Sequence, residues 1–313
     1  MSPTRRHAAL GLIAATVPVG ALAQIRPIEA AIELPDEDAP NTKLDTSADR
    51  NEHLLAPVQI NGQGPFNFLL DTGANVSCVS NRLMKRLALT STETQRVHTV
   101  VGVRDRPVVT LDSLQIGPRS RRGVRTPALP IAGTDIDGIL GVDWLKGQRL
   151  VLDMKGRKLE ITKSRADREE LGRVVVVPAR RRHGQLTIVD ADLSGRPISA
   201  IIDSGAQGTL CNSKLRNLVR AIEAKKGQSP DIHMVRMETL AGEVFVGESI
   251  FLPFLRLGGL RLGNVPVTYA DMHVFDVWGL KDSPALVIGM DLLSQFELVA
   301  MDFGRSAVRF EFV

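Results

Sequence analysis

Phe68-Leu69-Leu70-Asp71-Thr72-Gly73-Ala74 is an apolar run that ends in a carboxylate, a hydroxyl and a glycine. The chain repeats that grammar as Ile201-Ile202-Asp203-Ser204-Gly205-Ala206, with the second acid 132 residues after the first. One Asp-[Ser/Thr]-Gly-Ala arises by accident in roughly one chain in a hundred of this length. Two copies, each behind an apolar strand, point to an internal duplication. A strand that is apolar at nearly every position is buried on both faces. It delivers its acid to the middle of the molecule, where an isolated charge is costly. Gly73 and Gly205 permit a tight turn after the acid, and Thr72 and Ser204 offer hydroxyls that can join the two turns. If the turns meet, Asp71 and Asp203 face each other. Two touching carboxylates cannot both ionise, so they share a proton. One is then a general base and the other a general acid, as attack of water on an amide requires.

The two motifs resemble the active-site signatures of retropepsin-like aspartic proteases, in a bacterial gag-polyprotein-type form with both lobes on one chain. The resemblance covers most of residues 51–313. It implies an all-β fold of two tandem retropepsin-like closed β-barrel lobes with short helices, related by a pseudo-twofold axis. It implies aspartic endopeptidase activity on a polypeptide, with no cofactor. Asp71 and Asp203 would be catalytic, braced by Thr72, Gly73, Ser204 and Gly205. Gly102 in Thr99-Val100-Val101-Gly102-Val103, and Gly242 in Thr239-Leu240-Ala241-Gly242, would tip the hairpins that close over substrate as flaps. Ile139-Leu140-Gly141 and Val287-Ile288-Gly289 look like the family's second signature, a strand beside the acid-bearing turn. Asp143 and Asp291, just after these glycines, read as N-caps of short helices and not as further catalytic acids.

The chain has 313 residues, enough for two lobes, and its net charge of +4 is small. About half of that charge is Arg5 and Arg6. The basic stretches at 119–125 and 180–183 read as solvated turns, and no aromatic-basic interleaving suggests nucleic acid. Cys78 and Cys211 follow their acids at offsets of seven and eight, so they are not equivalent positions on an alternating strand. Two buried free thiols are preferred to a disulfide, since small thiols pack well in cores. No His-Glu-x-x-His or Cys-x-x-Cys spacing suggests a metal.

Residues 1–23 read as a signal peptide: a charged start, an apolar core from Ala8 to Val19, and a small-residue cleavage site at Ala21-Leu22-Ala23. That implies a periplasmic or secreted protein without a stable membrane span. Residues 24–50 read as a flexible segment. The first lobe follows at 51–165, then a charged linker at 166–172, then the second lobe at 173–313. The spacing between equivalent positions grows from 132 at the acids to 140 at Gly102 and Gly242, and to 148 at Gly141 and Gly289. The second lobe therefore carries insertions. One holds Met272 to Leu280, which fits either a cleft wall or a surface loop pinned by Phe275 and Trp278. The hairpins at 150–161 and 298–312 read as closing their own lobes. With both acids on one chain, a monomer is sufficient. The alternative to an enzyme is a non-catalytic peptide-binding or scaffold protein on the same fold.

Neither flap candidate contains a tyrosine, because Tyr269 is the sole tyrosine. Ala74 and Ala206 stand where pepsin-like enzymes usually carry Ser or Thr. Losing those hydroxyls removes hydrogen bonds that favour the ionised pair. The expected activity optimum is therefore nearer neutral than pepsin's, and a pH–rate profile peaking below about pH 4 would contradict this.

Overall fold

Apolar runs broken by Asn-Gly, Gly-Pro and Ser-Gly turns write strands along most of the chain. The computed structural model describes residues 40–48, 53–132, 135–182, 184–227 and 232–312. The expected signal peptide lies outside them. The N-terminal half contains β1 (Thr42–Asp45), β2 (Ser47–Ala48), β3 (Leu54–Ile60), β4 (Gln63–Leu70) and β5 (Cys78–Ser80). After helix α1 (Asn81–Arg86) come β6 (Ser91–Thr99), β7 (Gly102–Ile116), β8 (Arg119–Leu129), β9 (Gly138–Leu140), β10 (Gln148–Asp153) and β11 (Lys158–Lys163). The second half repeats the plan with β12 (Val174–Arg182), β13 (Gln185–Leu193), β14 (Arg196–Ile202) and β15 (Leu210–Cys211). Helix α2 (Ser213–Lys225), β16 (His233–Glu238), β17 (Val244–Leu257) and β18 (Leu260–Tyr269) follow. Helix α3 (Val274–Val277), β19 (Ala285–Ile288), α4 (Met290–Leu293), β20 (Leu298–Asp302) and β21 (Ala307–Glu311) complete it. Among the described residues no helix is long and apolar enough to cross a membrane.

Two six-stranded barrels result. The first runs β3-β4-β9-β5-β8-β7 and closes through β3–β7; the second runs β13-β14-β19-β15-β18-β17 and closes through β13–β17. The ends of β4 and β14 next to the acids are buried on both faces. Phe68 and Leu70 enter the main core, while Leu69 packs with Leu55 and Ile136. Likewise Ala200 and Ile202 enter the main core, while Ile201 packs with Val287, Phe275 and Trp278. Each acid strand lies parallel to the second-signature strand, with Leu70 opposite Leu140 and Ile202 opposite Ile288.

A third sheet joins the barrels, in the order β1-β11-β10-β20-β21-β12. Here two expectations are corrected. The hairpins near 150–161 and 298–312 do not close their own lobes. They pair with each other across the molecule, Leu150 opposite Met301 and Leu152 opposite Val299. The segment 24–50, expected to be flexible, includes β1, which extends this sheet on β11, and β2, which pairs with β3. The stretch 119–125 is not a solvated turn either. It begins β8, and Arg119 is buried, donating to Pro40 O at 2.8 Å and Thr42 Oγ1 at 2.9 Å. Arg180–Arg182 likewise ends a strand.

The joining sheet buries charge as well as apolar surface. Arg149 is 1% exposed and donates to both carboxylate oxygens of Asp167, at 2.7 and 3.0 Å. Burial holds its guanidinium below the usual arginine range. Removing one partner of such a pair strands the other charge away from water. Asp167→Ala should therefore destabilise the fold by roughly 3 kcal/mol in denaturant titration. The double variant Arg149→Leu/Asp167→Leu should recover most of the loss; equal losses would show that the pair is not the cause.

Candidate active site

Strand β4 ends at Leu70 because the next residues must leave the sheet: Asp71 N donates to Leu140 O at 3.0 Å, and the chain turns. Asp203 N donates to Ile288 O at 3.0 Å in the same way. The two turns meet back to back. The Thr72 hydroxyl donates to Ile202 O at 2.9 Å and accepts from Ser204 N at 3.0 Å. The Ser204 hydroxyl donates to Leu70 O at 2.8 Å and accepts from Thr72 N at 3.2 Å. Both hydroxyls are buried, so each bond lost there leaves a polar group without water to replace it.

This exchange brings the acids together. The Asp203 carboxyl lies against Gly73 and the Asp71 carboxyl against Gly205. Gly73 N and Ala74 N donate to Asp71 Oδ1, at 2.8 and 3.0 Å, and Gly205 N donates to an Asp203 oxygen at 2.8 Å. The glycines are needed for space and not for an unusual backbone, since neither has positive φ. A Cβ on Gly73 would lie 2.3 Å from Asp203 Oδ2, and one on Gly205 would lie 2.4 Å from Asp71 Cγ. Any larger residue would push the opposite carboxyl away.

The second-signature aspartates have a different task from the one expected. Neither caps a helix: the N-cap positions are Gly141 and Gly289, without side-chain bonds. Asp143 instead accepts from Ser77 N at 3.1 Å and Ser77 Oγ at 2.8 Å. Asp291 accepts from Thr209 N at 2.9 Å and Thr209 Oγ1 at 2.7 Å. Each hydroxyl then accepts the N–H of the signature glycine, Gly141 at 3.0 Å and Gly289 at 3.2 Å. These links lock the acid-bearing turn to the neighbouring strand. Ser77 and Thr209 belong to no motif of their own, and the signal that marks them is the same 132-residue spacing as the acids.

Two hairpins cross between the lobes. Strands β6 and β7 turn at Val100-Val101-Gly102, and β16 and β17 turn through Gly242; both glycines have positive φ, +154° and +77°. Each tip crosses to the other lobe. His273 N donates to Val100 O at 2.8 Å, and Ala132 N donates to Leu240 O at 2.6 Å. Val100 packs on the cluster of Met272, Phe275 and Trp278, and Leu240 on that of Leu55, Leu69 and Ile136. Arg104 of the first hairpin pairs with Glu243 of the second at 2.8 Å. The Met272–Leu280 insertion is thus a loop pinned by an edge-on Phe275–Trp278 contact, and it anchors a hairpin tip.

The model of the aspartyl protease family matches residues 56–144 and 189–292, one stretch in each barrel. The chain belongs to the aspartyl protease family. Comparison with curated proteins gave no match. As an aspartyl protease it is a peptidase, a hydrolase whose substrates are polypeptides.

The electrostatics of the protease's paired carboxyls follow from their surroundings. Burial, and then the facing Asp203 carboxyl, push Asp71 well above the ordinary carboxylate range, against the pull of the Gly73 and Ala74 N–H groups. Burial also raises Asp203, but the Gly205 N–H and the bond from Asp71 oppose it. Cys78 and Cys211 are free and buried, and burial pushes the Cys211 thiol up to about 12.

A carboxyl whose pKa is raised on folding keeps its proton in the folded state after the unfolded chain has released it. The unfolded state then binds fewer protons, so stability falls as pH rises from about 4 through the pair's own titration. The melting temperature of the wild type should drop over that window, and Asp71→Asn should flatten the drop. Parallel curves for the two proteins would rule out the raised pair.

Proposed function

We propose that the protein is an aspartic endopeptidase that hydrolyses peptide bonds through a water activated between Asp71 and Asp203. The single observation that supports this reading is the placing of each carboxyl against the opposite acid-bearing turn, Asp203 at Gly73 and Asp71 at Gly205. A proton held between two acids makes one a base and the other an acid at the same pH. The ionised member removes a proton from water, which attacks the scissile carbonyl carbon. The protonated member donates to the carbonyl oxygen as the tetrahedral intermediate forms. On collapse one carboxyl gives its proton to the departing amine while the other takes a proton from a hydroxyl of the intermediate, which leaves the carboxylic acid product and the pair again with one proton. The pair titrates as a unit, so neither residue is acid or base in advance.

Thr72 and Ser204 brace the pair without reacting, because both hydroxyl protons are already committed to backbone carbonyls of the opposite lobe. Gly73 and Gly205 leave room for the acids. The two crossed hairpins, tipped near Gly102 and Gly242, hold an extended polypeptide against the pair once Arg104 and Glu243 part to admit it. Since one chain supplies both acids, the active unit is a monomer, acting in the periplasm or outside the cell after removal of residues 1–23.

Asp71→Asn and Asp203→Asn test the mechanism separately. Each should lower cleavage of a mixed peptide library by roughly 100-fold or more, with an unchanged circular dichroism spectrum. Peptide binding that survives in a wild type unable to cleave would instead favour the non-catalytic binding reading.

A further inference from the structure

One buried polar side chain at the site comes from neither acid-bearing turn. Gln185 is the first residue of β13, in the second lobe, and it is fully buried. Its amide nitrogen crosses to the first lobe's turn and donates to Gly73 O at 3.0 Å and to Asn75 Oδ1. Its Oε1 is buried and meets no donor among the described residues. An amide that leaves its own oxygen unsatisfied in order to keep two N–H bonds works against stability.

The carbonyl it holds belongs to the peptide between Gly73 and Ala74. The N–H of that same peptide donates to Asp71 Oδ1 at 3.0 Å. A peptide group is planar, so fixing its oxygen fixes the direction of its N–H. An accepted bond at the oxygen also polarises the N–H and strengthens its donation. We propose that Gln185 is a positioning residue, acting on Asp71 from the opposite lobe through the Gly73–Ala74 peptide. This rests on the carboxyl-pair mechanism above. The glutamine itself is not repeated in the first lobe. The position 132 residues earlier, at the matching start of the first barrel, holds His53, also buried. Asp71 and Asp203 therefore stand in different surroundings despite the duplicated motifs.

The titratable groups acting on Asp71 are Asp203, which faces it, and Cys78, which interacts with both Asp71 and Asp143. Neither is touched by a change at Gln185. The N–H bond from Ala74 favours the ionised form, so weakening it raises the pair's titration. Gln185→Leu keeps the bulk and removes the donor; Gln185→Glu keeps the shape and donates only while protonated.

In full-length protein, Gln185→Leu should lower kcat on the order of 10-fold and leave KM within about twofold. The acid limb of the kcat/KM profile should move up by roughly half to one pH unit. Gln185→Glu should approach wild-type activity at the acid end and lose it as pH rises. Carbon-13 NMR of labelled aspartate carboxyls should show the same upward move without any need for turnover. If the wild type cleaves peptides and both profiles and carboxyl titrations of the variants overlay it, the assignment of Gln185 is wrong. If the carboxyl titration moves in a wild type that cleaves nothing, the assignment stands and the protease mechanism fails. A KM change alone also overturns the assignment.

Discussion

Everything at the centre of this molecule depends on four hydrogen bonds exchanged between Thr72 and Ser204 and the backbone of the opposite turn. Two carboxyls have no reason to approach one another: ionised they repel, and burial penalises each charge. The neutral exchange behind them fixes their positions, and it does so with groups that do not titrate. Each hydroxyl uses its proton on a carbonyl and a lone pair on an N–H, so neither can be satisfied unless the other lobe is in register. The burial that raises both acids is therefore imposed by geometry that their own charge cannot relax.

The joining sheet adds a second constraint on the same geometry. Strands β10 and β20 pair across the lobes, and Asp302 at the end of β20 accepts from Ser164 Oγ at 2.6 Å and Arg165 N at 3.0 Å, just beyond β11. The lobes are thus held at their turns and at their base. The hairpins meet the opposite lobes through one backbone bond at each tip, the packing of Val100 and Leu240, the His98–His273 contact, and a partly exposed ion pair between them.

The barrels, the acid-bearing strands, helix α2 from Ser213 to Lys225 and the glycine-tipped hairpins were legible because each is written in local pattern. Apolar runs, turn residues and the doubled motif needed no distant information. The misread parts all depended on partners far away in sequence. A hairpin such as β10–β11 looks the same whether its free edge meets its own barrel or the other lobe. An aspartate after Gly-Val reads as a helix cap, and nothing local tells that Asp143 will accept from Ser77, 66 residues earlier. Arg119 looks like one of several surface cations until Thr42 and Pro40 fold over it. Gln185 carries no motif at all; only counting back 132 residues sets it beside His53 and marks the position as one where the lobes differ.

Those differences bear on why one chain carries both lobes. When two identical subunits each donate an acid, both acids meet the same surroundings unless substrate breaks the symmetry. A fused duplication is free of that restriction. Here the backbone anchors are kept in pairs: Val100 with Leu240 at the hairpin tips, Ser77 with Thr209 behind the turns, Thr72 with Ser204 between them. The side chains around these anchors have diverged. The first hairpin meets the second lobe through His98 and His273, whose ring nitrogens lie 2.9 Å apart, while the second meets the first through Leu240 against Ile131 and Ile136. The pattern is that of a scaffold whose symmetric bonds hold the two turns together while the side chains around them differ from lobe to lobe.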